Sequence, residues 1–156
     1  MRQRGFTLIE LMVVLSITAV LGTLGVAGFT SYNQSQILQS SASEVATMLN
    51  LAKSRAQSQI KPSTICTSGV LTGYSVIILE NEYSLYLRCS VGGDIKIPEQ
   101  NKAKILPPGL SFDSNSNQSF FFPVSTGGTQ AGQIVISGYG RSKTIIVNSL
   151  GGVGIQ

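Results

Sequence analysis

The residues best placed to do chemistry stand at the start of the chain. The stretch MRQRGFTLIELMVVLS sets Arg2, Arg4 and Gly5 before an apolar run, then interrupts that run with a carboxylate, Glu10. A charge at the middle of a membrane span costs roughly 2.5–3.5 kcal/mol, less near the interface, and such a residue is usually kept for a partner. Cleavage of the peptide bond between Gly5 and Phe6 would supply one. The new amine on Phe6 would lie four residues before Glu10, on the same helical face. A lone subunit pairs the two imperfectly. In a stack of subunits the carboxylate can meet the amine of the next chain in a low-dielectric environment, where attraction is larger and misregistered neighbours are disfavoured. Glu10 is therefore expected to pin the register of an assembly.

Other constellations fail the same test. Histidine is absent, which removes the commonest general base and metal ligand. With only two cysteines, Cys66 and Cys89, one chain cannot build a four-cysteine metal site. No metal and no cofactor are expected. Gly127-Gly128-Thr129-Gln130-Ala131-Gly132-Gln133-Ile134 has the glycine spacing of a phosphate loop, but Gln133 and Ile134 stand where Lys and Ser/Thr are needed, and a plain loop results. Ser142 and Lys143 are adjacent on a strand and point to opposite faces, so they form no catalytic dyad. No carboxylate pair has useful spacing, and enzymatic activity is not expected. In an oxidising compartment the two cysteines suggest a disulfide; the alternative is a pair of buried thiols, which pack well.

These groups must be positioned by a chain of 156 residues, enough for one domain plus an appendage. Only 12% of it is charged, about half the usual share, as expected if part of its length lies in lipid. Net charge is +4, from 11 basic and 7 acidic residues, too weak and too scattered to argue for nucleic acid. Residues 11–29, LMVVLSITAVLGTLGVAGF, carry no charge. As a helix they rise about 28 Å, close to the hydrocarbon thickness. Arg2 and Arg4 predict a cytoplasmic N-terminus, with the remainder outside. A secretory signal or plain anchor is the simpler alternative, and Glu10 counts against both.

Residues 30–60 contain no glycine or proline. Leu38, Ala42, Val45, Leu49, Ala52 and Ala56 recur at helical period, with Gln39, Ser43, Glu44, Lys53 and Arg55 off the stripe. Lys61-Pro62 is a stop signal. One helix is expected from Phe6 to about Ile60, roughly 82 Å long. Its alanine-rich stripe suits close packing on a sheet better than a two-stranded coiled coil. Beyond Pro62 the chain reads as short strands: Thr64–Thr67, Tyr74–Leu79, Tyr83–Cys89, Asp94–Ile97, Ala103–Leu106, Gln118–Val124, Gln133–Ser137 and Lys143–Asn148, with Val153–Ile155 pairing last. Hairpins are expected across Glu80-Asn81-Glu82 and Gly138-Tyr139-Gly140. The fold class is α+β, a long N-terminal helix packed on an antiparallel sheet or small sandwich.

Arg4-Gly5-Phe6-Thr7-Leu8-Ile9-Glu10-Leu11 resembles the processing site of type IV prepilins and type II secretion pseudopilins. The resemblance implies cleavage between Gly5 and Phe6 by prepilin peptidase, N-methylation of Phe6, and assembly roles for Thr7 and Glu10. It divides the chain into a leader (1–5), a transmembrane and filament-core helix (6–29), an amphipathic continuation (30–61) and a β-rich pilin-like domain (62–156). Many major pilins bend their helix at a proline; counting from Phe6, that position here is Ala27. Gly22, Gly25 and Gly28 stand nearby instead, either for close packing through small residues or for a helix loose enough to stretch on assembly.

The β region resembles the GspH/FimT branch of that family, through Ala52-Lys53-Ser54-Arg55-Ala56, Thr64-Ile65-Cys66 and Thr144-Ile145-Ile146-Val147-Asn148-Ser149-Leu150-Gly151. It implies a minor structural subunit of a type II secretion pseudopilus or type IV pilus, in the bacterial inner membrane and then in a filament. Its implied partners are other pilin or pseudopilin subunits, prepilin peptidase and the inner-membrane assembly platform. Two alternatives stand beside it. One is a major pilin. The other is a DNA-binding minor pilin, for which Arg141 and Lys143 are the available cations; the tail Leu150–Gly154 has no arginine, and two cations make a weak phosphate contact.

Overall fold

The computed structural model describes residues 7–62, 66, 69–91, 93–96 and 103–156, with the backbone alone at 24, 25, 27, 93, 94 and 96. Gly5, Phe6 and the leader lie outside the described residues. The chain divides into two compact units, Met1–Gln36 and Ile37–Gln156. One helix, α1 (Leu8–Gln57), supplies the described part of the first unit and opens the second.

In the first unit the large apolar side chains from Leu8 to Phe29 that the structure describes are 50–77% exposed. This part of α1 is long and apolar enough to cross a membrane by length and composition. Ser16, Thr18 and Thr23 turn their hydroxyls back onto carbonyls of the preceding turn, at 2.8–3.0 Å. They thereby satisfy their own polarity and can face an apolar surrounding. Gly22 and Gly28 have open space where a Cβ would stand.

In the second unit Leu38, Ala42, Val45, Leu49, Ala52 and Ala56 are all buried, and Ser43 and Glu44 are exposed. Helical periodicity thus decides which side of α1 joins the core, and alanine at half of these positions permits close approach. The helix ends at Gln57, short of Ile60. Gln59 adopts a left-handed φ of 50°, Ile60 N–H donates to Arg55 O and Gln59 N–H to Ala56 O, both at 3.2 Å. This closing pattern satisfies the last carbonyls, and Pro62 prevents continuation.

Among the described residues, nine strands form two antiparallel sheets. The first orders β3 (Gly93–Lys96), β2 (Glu82–Cys89), β1 (Leu71–Leu79) and β6 (Ser119–Pro123), with β4 (Lys104–Ile105) also on β2. The second orders β5 (Leu110–Phe112), β7 (Gly132–Gly138), β8 (Arg141–Val147) and β9 (Val153–Ile155). Tyr74, Val76, Ile78, Tyr83, Leu85, Leu87, Phe120 and Phe122 from the first sheet and Ile134, Ile136, Ile145 and Val147 from the second join the α1 stripe in one core. The period-2 alternation of strands sorts these residues inward. The sheets are tied at the β1–β2 turn, where Phe112 N–H donates to Glu80 O at 3.1 Å.

Three sequence expectations change. Cys66 has φ 58°, a left-handed conformation through which no extended strand passes, so Thr64–Thr67 is not a strand at Cys66; Thr64, Ile65 and Thr67 lie outside the described residues. β5 occupies Leu110–Phe112, outside every strand expected from the sequence. The β7–β8 hairpin turns on two residues, Tyr139 and Gly140, both left-handed at φ 55° and 71°, the turn geometry that matches strand twist.

Candidate functional site

Thr7 is the residue before the first helical position of α1, and Glu10 is the third within it. Thr7 N–H and Thr7 Oγ1–H both donate to Glu10 Oε2 at 2.8 Å, and Glu10 N–H donates to Thr7 Oγ1 at 3.3 Å. This is a reciprocal capping box: each side chain satisfies a backbone amide that the first helical turn leaves without a partner. The carboxylate also sits at the positive end of the helix dipole. Two donors on one carboxylate oxygen reduce the cost of holding Glu10 at an apolar boundary. The partner expected from the sequence, the amine of Phe6, lies outside the described residues. The cap itself went unread, although Thr-x-x-Glu before an apolar run spells it.

The exit of α1 forms a second cluster. Tyr74 Oη–H donates to Ile60 O, Lys61 Nζ donates to Gly69 O at 3.1 Å, and Ser125 N–H donates to Ala56 O at 3.4 Å. Cys66 and Cys89 are joined by a disulfide, with Cα atoms 5.9 Å apart. Cys89 closes β2 opposite Leu71, next to a bulge between Leu71 and Gly73. Gly73 is required there, because a Cβ would stand 2.3 Å from Phe122 O and 2.6 Å from the Phe121 ring. That ring faces outward and carries the Arg88 guanidinium 4.7 Å from its centroid, a cation–π contact.

Arg141 is exposed and Lys143 half-buried. On β8 both share the side that carries buried Ile145 and Val147, so Lys143 is drawn toward the core edge while Arg141 stays exposed at the start of the strand. The tail with which they were grouped is folded back: Asn148 Oδ1 accepts the amides of Leu150 and Gly152 at 3.1 and 2.6 Å, and β9 pairs with β8. Ser142 is exposed and paired across the ladder with Ser137. Among the described residues no group of three or more Cys, Asp or Glu is placed to hold a metal.

Tyr83 packs edge-on against Phe112, 6.1 Å between centroids, and its hydroxyl donates to Glu44 Oε2 at 3.3 Å. Burial first, then the Glu44 charge, pushes the Tyr83 hydroxyl well above the ordinary tyrosine range. The pair fastens the polar side of α1 to β2.

A capped, apolar helix on a helix-and-two-sheet domain agrees with what sequence comparison finds. The model of the prokaryotic N-terminal methylation motif matches residues 1–26. The model described as type II transport protein GspH matches residues 41–151. The chain belongs to the GspH family. In fold, this GspH-family chain is similar to the crystal structure of the minor pseudopilin EPSH from the type II secretion system of Vibrio cholerae. The TM-score is 0.55 at 14% identity, over 77% of this chain and 93% of that one. No curated protein matches it by sequence. The methylation motif ends within the apolar part of α1 and the GspH match begins at Ser41, where the buried stripe is under way.

Proposed function

We propose that this GspH-family chain is a minor pseudopilin that does no chemistry itself and serves as a structural subunit of a type II secretion pseudopilus. It enters the inner membrane with its N-terminus in the cytoplasm. Prepilin peptidase cuts between Gly5 and Phe6, and Phe6 is N-methylated. Residues 6–29 hold the subunit in lipid and then in the filament core, and residues 62–156, with the amphipathic continuation at 30–61, stand outside the cytoplasm. Its partners are other pseudopilin subunits and the inner-membrane assembly platform.

The observation that carries this reading is the helical segment from Leu8 to Phe29, apolar on every side and carrying one carboxylate at its start. Such a segment needs lipid or other helices around it. A carboxylate kept at its edge favours a cationic partner in the assembled state. No observation favours the DNA-binding or major-pilin alternatives.

The test is mass spectrometry of the chain purified from its native host, together with pseudopilus incorporation of Glu10→Ala. The reading expects a chain beginning at methylated Phe6, and a variant that folds but is absent from sheared filaments. A chain retaining residues 1–5, or normal incorporation of Glu10→Ala, overturns it.

A further inference from the structure

We propose that β9 is an open edge of the second sheet that takes an extended segment of another protein as an added strand, one carrying a bulky apolar side chain opposite Gly154. The ladder to β8 fixes which way each backbone group points. Thr144 and Gln156 exchange both of their N–H···O bonds, at 3.1 and 2.8 Å, and Asn148 N–H donates to Gly152 O at 2.9 Å. In an antiparallel pair such bonds recur at every second residue. Gly152, Gly154 and Gln156 therefore turn to β8, while Val153 and Ile155 turn their N–H and C=O groups away from it. Among the described residues no backbone group pairs with theirs. The opposite edge of the sheet is closed. On β5, Leu110 N–H donates to Pro107 O and Phe112 N–H to Glu80 O, both at 3.1 Å. Where β7 runs past β5, Asn117 Oδ1 and Ser116 Oγ accept the amides of Gln133 and Val135 at 2.9 Å. β9 carries no charge, proline or register shift, the devices that blunt an exposed edge.

The side chains along this edge are unfinished on both faces. Val153 and Ile155 lie opposite Val147 and Ile145, which are fully buried, yet are themselves only half-buried against the core. On the other face Gly154 lies opposite Ile146, which is 38% exposed. A Cβ at Gly154 would meet nothing within 4 Å, and a groove of about 430 Å³ runs past Ile146, Gly152, Gly154 and Ile155. An added strand completes both faces. Its residues opposite Val153 and Ile155 extend the core side, and its residue opposite Gly154 enters the groove and covers Ile146. Main-chain bonds supply affinity and the groove supplies selection. A second copy of this chain fits poorly: antiparallel pairing of two β9 strands about Gly154 sets glycine against glycine and leaves both Ile146 side chains open. The edge belongs to the folded Ile37–Gln156 unit and stands apart from the pseudopilus reading.

The test uses the full chain in detergent micelles and two end-blocked peptides, Lys-Thr-Val-Phe-Val-Thr-Lys and the same peptide with glycine at its centre. With the phenylalanine peptide at ten times its dissociation constant, amide hydrogen exchange at Val153 and Ile155 should slow about tenfold, with β1 and β2 unchanged. The glycine peptide should bind about tenfold more weakly or worse, having no ring to bury. Gly154 is not left-handed, so Gly154→Phe can be made without backbone strain. It fills the groove from this chain's own side and should reverse the preference between the two peptides. Val153→Pro removes an outward amide without touching the β8 ladder and should weaken both. Melting temperatures of both variants report whether the domain stays folded. Three results would each overturn the proposal: no slowing at Val153 and Ile155 with the phenylalanine peptide up to about 1 mM, equal binding of the two peptides to the parent chain, or protection of these amides without peptide that grows with protein concentration. The last would assign the edge to a second copy.

Discussion

Thr7 and Glu10 close on each other at the first turn of α1, with the Thr7 amide and hydroxyl both donating to one carboxylate oxygen at 2.8 Å. The carboxylate proposed to meet a neighbouring subunit is therefore already occupied within its own chain. An amine arriving from another subunit must share Glu10 with Thr7 or displace it. The cap makes the unassembled carboxylate tolerable near lipid, and it also gives assembly a local competitor.

The two residues should then separate by mutation. Thr7→Val removes the hydroxyl but keeps the amide donor and the carboxylate; loss of such a cap costs about 1 kcal/mol of helix stability. Nuclear magnetic resonance of the full chain in micelles should report fraying limited to the first turn, with incorporation into pseudopili reduced but present. Glu10→Ala loses the cap and the counter-charge together, and immunoblots of sheared filaments should lack it. In both variants the melting temperature of the Ile37–Gln156 unit should stay within about 1 °C of the parent, since neither residue belongs to it.

The Tyr83–Glu44 contact predicts a loss of stability in alkali. Its folded-state pKa lies above the ordinary value of about 10, so the folded domain prefers the neutral phenol. The contribution is whole below pH ~10 and falls as pH rises through that value, where the unfolded chain ionises first. Urea unfolding at pH 8, 10 and 11 should show this decline, and Tyr83→Phe should flatten it. Glu44→Gln should reduce the slope without abolishing it, because burial is the larger cause.

Much of this was legible in the residues because it depends on periodicity. The α1 stripe needs only a 3.6-residue repeat, and Tyr83, Leu85 and Leu87 need only alternation. Glu10 stands out by breaking an apolar run, and Thr7 three positions earlier spells its cap. What stayed illegible depends on tertiary pairing. Leu110–Phe112 is three residues between a turn and Asp113, and becomes a strand only because β7 lies beside it. Gly73 stands outside the strand expected at Tyr74–Leu79, and only the fold extends β1 across it and closes the Phe121 ring and Phe122 carbonyl over its Cα. Cys66 reads as extended beside Thr64 and Ile65, yet its backbone is left-handed.

The stripe itself makes a quantitative prediction. Ala52 is fully buried among larger core residues, and Ala52→Leu adds volume where the helix must approach closely. Overpacking of this kind costs about 1–3 kcal/mol. Leu49→Ala, at an equally buried site, should cost about 2–5 kcal/mol through the cavity it leaves. Urea denaturation of the two variants should place both midpoints below the parent. Ser43→Leu on the exposed side of the same helix should move the midpoint by no more than about 0.5 kcal/mol equivalent, which distinguishes a packed face from a merely apolar one.

Nucleic-acid binding is expected to be absent, and Lys143 is the reason. On β8 it shares the side of Ile145 and Val147 and is half-buried, so it offers less open surface to a phosphate than an exposed lysine. Arg141 alone neutralises one phosphate; even both together would give a salt slope no steeper than about −1.8. A gel-shift titration of the full chain in micelles against single- and double-stranded DNA at 50 mM salt should therefore show no retarded band at micromolar protein. If a band appears, Arg141→Ala with Lys143→Ala identifies its origin. Loss of the band in that double variant would revive the DNA-binding alternative, and its persistence would assign the binding to cations outside β8.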